Sequence, residues 1–163
     1  MTSQHLQLAR QILETCQQKQ LKIAAAESCT GGWVAKIMTD LAGSSAVFDR
    51  GFVTYSDMAK MEMLGVSNAT LDNHGAVSEE TVLAMASGAL QHSEADMTVA
   101  ISGIAGPGGG SMEKPVGTVW FAWAQKGKPT TATLQHFNGD RNAVRRQAVT
   151  FALERLLQMA REH

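Results

Sequence analysis

The stretch AESCTGG, Ala26 to Gly32, sets a serine, a cysteine and a threonine in a row ahead of a glycine pair, between an apolar run and an amphipathic one. A strand handing over to a helix there leaves the helix's first N–H groups without intrahelical partners. Such groups hold phosphates or stabilise an oxyanion. Ser28 is therefore a candidate nucleophile, with Thr30, Gly31 and Gly32 as candidate anion-binding positions. Two other readings stay open on these residues. Ser28 is also a good helix N-cap, and Cys29 is a second nucleophile if a helix N-terminus activates its thiol and His74 serves as base. No histidine stands in a recognisable triad motif, so a serine nucleophile needs another base.

Lys60, in VTYSDMAK (Val53 to Lys60), is the candidate for that role. If Ser56 caps a helix, Lys60 falls in its first turns, near the positive end of the macrodipole. That place and partial burial both depress a lysine pKa. Moving it from about 10.4 to near neutrality takes roughly 4–5 kcal/mol, which demands a desolvated site. Tyr55 could relay a proton or orient the amine. A solvated helix lysine beside a half-buried tyrosine is the competing reading.

Arg141, Arg145 and Arg146 crowd the first turns of a last helix, where the dipole disfavours cations. Arg141 and Arg145 share a helix face, so a bound phosphate would resolve the conflict. A solvated basic edge offset by Asp140 would resolve it too. The stretch ISGIAGPGGG (Ile101 to Gly110) has the backbone freedom to approach a ligand, with Gly106 and Gly108 as candidate contacts. It matches neither the Walker pattern nor GxGxxG.

These candidates need elements to hold them. Leu6, Ala9, Ile12, Leu13 and Cys16 recur at helical spacing and predict an opening helix over residues 4–19; Leu21 to Ala26 is an apolar run of strand length. Further helices are expected over residues 31–41, 56–64 and 81–90, and a long final one along Val144, Ala148, Phe151, Ala152, Leu156 and Met159. Strands are expected at 47–55, 97–102, 116–124 and 130–137, the last two as an antiparallel hairpin. This alternation predicts one α/β domain over residues 1–163, a three-layer α/β/α sandwich with a mixed, mostly parallel sheet. Ligands in such sheets bind beyond the carboxyl ends of the strands.

The chain of 163 residues, 44% hydrophobic and 18% charged, has the length and composition for such a core. Its net charge of -1 gives no support to nucleic-acid binding through a basic patch. No apolar run reaches the roughly 20 residues of a membrane span. The opening residues lack a secretory leader pattern, and two cysteines are too few for a disulfide framework or a cysteine zinc site. The expectation is a cytoplasmic protein with no nucleic-acid or membrane partner.

From about residue 6 to residue 157 the chain resembles the CinA C-terminal domain family, on AESCTGG, DLAGSSAVFDRGFVTYSDMAK, HGAVSEE, ISGIAGPGGG, EKPVGTVW and DRNAVRRQA in that order. The resemblance implies a serine amidohydrolase without metal or other cofactor. Stand-alone members look like deamidases of nicotinamide mononucleotide, releasing nicotinate mononucleotide and ammonia in pyridine nucleotide recycling. In those terms Ser28 is the nucleophile, and Tyr55 and Lys60 are its partners from the YSxxAK block. Ser102 stands where the family has threonine before its IAGP block, and keeps the hydroxyl. A homodimer or higher homo-oligomer is implied by the family alone. The rival reading is a nucleotide-sensing or partner-binding module without turnover, linked to competence or DNA damage. Such a binder needs the glycines and arginines but not Ser28, Tyr55 and Lys60 together.

Overall fold

The computed structural model describes residues 3–163. The chain runs α1 (Ser3–Lys19), β1 (Ile23–Glu27), α2 (Trp33–Thr39), β2 (Phe48–Val53), α3 (Asp57–Leu64), α4 (Asn68–His74), α5 (Glu79–Gln91), β3 (Met97–Gly103), β4 (Thr118–Gln125), β5 (Lys128–His136) and α6 (Arg141–Glu162). The strands form one sheet in the order β2-β1-β3-β4-β5. β1 pairs parallel with β2 and β3, whereas β3–β4 and β4–β5 pair antiparallel. The mixed sheet expected from the sequence is present, and only β4 runs against the other strands.

Period-two alternation sorts the central strands' side chains by size. Ile23, Val99, Ile101, Phe121 and Trp123 pack in one apolar cluster with α1, α2 and α6. Ala24, Ala26, Ala100, Ala122 and Ala124 pack in another with α3, α4 and α5. Methyl groups on that second face let α5 lie close to the sheet. Gly88 extends the close packing to the neighbouring helix, since a Cβ there would overlap the Leu64 carbonyl at the end of α3. α5 thus braces α3, the helix that carries Lys60.

Ser56, Ser67, Ser78 and Asp140 each accept a hydrogen bond from an amide in the first turn of the helix they precede, satisfying one donor the helix itself leaves open. α4 is absent from the sequence-based expectation because only Leu71 along it is buried, too little for a periodic signal; the Ser67 cap was the available cue. α2 is shorter than the expected span of 31–41 because Gly31 and Gly32 take positive φ, +59 and +99, and form a turn ahead of the helix.

The parallel strands end along one edge. Glu27 is in register with Val53 on one side and Ile101 on the other. The Ser28 amide donates to the Ile101 carbonyl at 3.0 Å and the Thr54 amide to the Glu27 carbonyl at 2.9 Å. Parallel pairing therefore gathers the three motif-bearing strand ends side by side. Among the described residues, no helix is long and apolar enough to cross a membrane.

Candidate active site

Three residues separate the end of β2 from α3, whose start Ser56 caps, its Oγ accepting from the Ala59 amide at 3.0 Å. One turn later Lys60 lies against the end of β1, only 1% exposed. Its Nζ donates to the Thr54 carbonyl at 2.8 Å and lies 3.1 Å from Ser28 Oγ. Neither neighbour is an anion. Burial drives the amine's pKa down from its ordinary 10.5, and the charges of Asp57 and Cys29 oppose this in smaller measure. A lysine so placed gives up its proton more readily than one in water, and a neutral amine beside a hydroxyl is a base.

Ser28 and Lys60 open on a cavity of about 280 Å³, walled also by Tyr55, Ser102, Gly106, Gly108 and Arg141. Arg141 spans it, with Nη1 donating to the Gly106 carbonyl at 2.7 Å and Nη2 to the Tyr55 hydroxyl oxygen at 2.9 Å. Tyr55 is 61% exposed, and its hydroxyl bonds Arg141 rather than Lys60 or Ser28. The geometry thus has Lys60 meeting Ser28 directly, without a tyrosine between them. Among the described residues, the amides of Gly106, Gly108 and Gly109 donate to no other group. Open backbone donors beside a guanidinium are suited to an anion.

Thr30, Gly31, Gly32 and Arg145 lie elsewhere. They line a second depression with Trp33 and Lys36, which Ser28 and Lys60 do not reach. Arg145 donates Nε to the Cys29 carbonyl at 3.0 Å and Nη2 to the Thr30 carbonyl at 3.3 Å, with its guanidinium 5.6 Å from the centre of the Trp33 ring. The Gly31 amide is taken by the Ser28 carbonyl at 3.1 Å. Arg141 and Arg145 share a helix face as expected, but one reaches the glycine loop and the other the Ser28 turn.

Glu27 is the residue that sequence reasoning missed. It is 1% exposed and accepts from Thr30 Oγ1 at 2.7 Å, the Val34 amide at 2.9 Å and the Ala35 amide at 3.1 Å. Burial raises its carboxyl pKa, and these bonds pull the other way. A lone carboxylate closing the apolar run IAAAE was the signal, since a buried carboxylate must be paired. Glu27 also answers the N-cap reading of Ser28. Gly32 holds the cap position of α2, and Glu27 serves the first amides of that helix. For Cys29, burial pushes the thiol up to about 11, and His74 is not among the cavity's lining residues. The conditions for a cysteine nucleophile are not met.

A family model for the CinA C-terminal domain matches residues 5–160. The chain is 56% identical to the nicotinamide-nucleotide amidohydrolase PncC of Escherichia coli over 96% of this chain and 94% of that one. It is 59% identical to the protein of the same name from Enterobacter agglomerans, over 83% of this chain and 82% of that one. Among solved structures, the competence/damage inducible protein CihA from Agrobacterium tumefaciens superposes with a TM-score of 0.94 at 46% identity, covering 98% of this chain and 97% of that one. With agreement of sequence and backbone over nearly its whole length, this chain belongs to the CinA C-terminal domain family.

Proposed function

We propose that the chain is a nicotinamide-nucleotide amidohydrolase that converts nicotinamide mononucleotide and water to nicotinate mononucleotide and ammonia in pyridine nucleotide recycling. The observation that carries this is the buried Lys60 Nζ, 3.1 Å from Ser28 Oγ, at the wall of an open cavity. The name and close identity of the Escherichia coli relative support the substrate.

Ser28 gives its proton to neutral Lys60 and attacks the carboxamide carbon, whose electrophilicity the pyridinium ring raises. With the Gly31 amide committed within the turn and Thr30 on the other depression, the amide of Cys29, on the cavity wall, is left to stabilise the oxyanion. Lys60 then passes the proton to the amide nitrogen, the C–N bond breaks, and ammonia leaves an acyl ester on Ser28. A water molecule loses a proton to Lys60 and attacks that ester, and Ser28 recovers its proton as nicotinate mononucleotide departs. Arg141 and the open amides of Gly106 and Gly108 bind the 5′-phosphate, with Ser102 on the wall between loop and nucleophile. Tyr55 holds Arg141 in place.

Ammonia release from nicotinamide mononucleotide, compared for wild type, Ser28→Ala and Lys60→Ala, tests this reading. Turnover by wild type alone is the expected outcome. Binding of the nucleotide without turnover by any of the three would replace the enzyme by a sensing module. Equal turnover by all three would sink the Ser28–Lys60 mechanism.

A further inference from the structure

We propose that Glu27 is a positioning residue for the nucleophile, its carboxylate holding the Ser28 turn so that Ser28 Oγ stays within reach of Lys60. This rests on the reading of Ser28 as nucleophile and Lys60 as base. Glu27 precedes Ser28 in the chain but does not line the cavity, so it meets neither substrate nor Lys60. Its oxygens gather the Thr30 hydroxyl and the Val34 and Ala35 amides, tying the middle of the turn to the start of α2. Arg145 holds the same turn by its carbonyls, and among the described residues Glu27 alone accepts from those donors.

The two reacting groups stand on different elements, Ser28 just beyond β1 and Lys60 on α3, so a shift of the turn alone breaks their 3.1 Å contact. Misplacement by 1 Å costs on the order of a hundredfold in rate. Glu27→Gln separates charge and acceptor count from shape. The amide oxygen can still accept, but its NH2 faces backbone N–H donors where an oxygen stood.

The test compares wild type, Glu27→Gln and the milder Thr30→Val, which deletes one bond of the set. For each, deamidation kinetics are measured beside the rate at which a fluorophosphonate labels Ser28, with circular dichroism confirming the fold. For Glu27→Gln we expect kcat to fall about 30- to 100-fold with KM within about twofold, labelling to fall in parallel, and the acid limb of the pH–rate profile to stay in place. Thr30→Val should lose a few-fold in both rates. A folded Glu27→Gln with kcat and labelling within twofold of wild type overturns the proposal, as does a rise in KM at unchanged kcat. If Glu27→Gln does not fold, wild-type rates in Thr30→Val overturn it. Wild type that labels at Ser28 without deamidating the mononucleotide removes the substrate assignment and leaves labelling to decide the role of Glu27. Wild type that does neither removes both.

Discussion

The turn after β1 and the loop after β3 leave the same edge of the sheet, and both are built from glycines and small polar residues. They end in opposite states. In the Ser28 turn the Gly31 amide goes to the Ser28 carbonyl, the Thr30 hydroxyl to Glu27, and the Cys29 and Thr30 carbonyls accept from Arg145. In the other, the glycine amides from Gly106 to Gly109 find no acceptor among the described residues, while the Gly106 carbonyl is tied to Arg141. A turn whose carbonyls are tied internally holds a nucleophile still. A loop whose donors are open is equipped to take an anion from outside. Glycine content does not separate them; the partners of their backbone groups do.

The largest break in this comparison comes from Lys60→Met, which leaves Ser28 fixed but without a base and should lower kcat about 10³-fold. Its stability carries the opposite sign. Folded Lys60 holds its proton less firmly than the unfolded chain does, where the pKa is near 10.5. Between the two values the unfolded state binds more protons, so native stability rises with pH through that window. Lys60→Met should therefore melt higher than wild type at pH about 7, with the gap closing as pH nears the unfolded value. Thermal melts across that range check it, and the activity of wild type should fall on the acid side as Lys60 takes up a proton.

Arg141→Ala strikes the open loop instead. Loss of a charge-assisted contact to phosphate should raise KM for the mononucleotide about 10- to 100-fold, with much less change in kcat. Nicotinamide riboside, which lacks the phosphate, should show no such rise. An equal rise for both substrates would remove Arg141 from phosphate binding.

Gly106→Ala sharpens the contrast within the loop. Its φ of +84 and a Cβ only 2.5 Å from the Val116 side chain force the backbone to move, and KM should rise about tenfold. The smallest effect is expected for Arg145→Lys. An ammonium cannot span two carbonyls and stack on Trp33 as a guanidinium does, so kcat should fall about three- to fivefold at unchanged KM. A KM effect confined to the mononucleotide would return Arg145 to the phosphate.

Much of this site was legible in the sequence because its signals are local. The apolar runs marked the strands, and serine caps marked where α3 and α5 begin. The placing of Ser56 four residues before Lys60 put the amine on the first turn. The sequence did not reveal which partners each charged group would meet. Arg141 and Arg145 look alike along a helix, yet their partners come from Gly106 and Tyr55 in one case and from Cys29 and Thr30 in the other. Tyr55, 61% exposed beyond the end of β2, carried no mark of that exposure.

The sequence by itself determined the order of helices and strands apart from α4, the three polar side chains at the sheet's edge and the family, since these depend on period, spacing and motif. Tertiary structure alone decided that Lys60 is dry and touches Ser28, that Glu27 takes the donors of the Ser28 turn, and that the two arginines divide their work. Each of those depends on desolvation or on a partner far away in the chain, and neither is set until the parallel strands bring their carboxyl ends together.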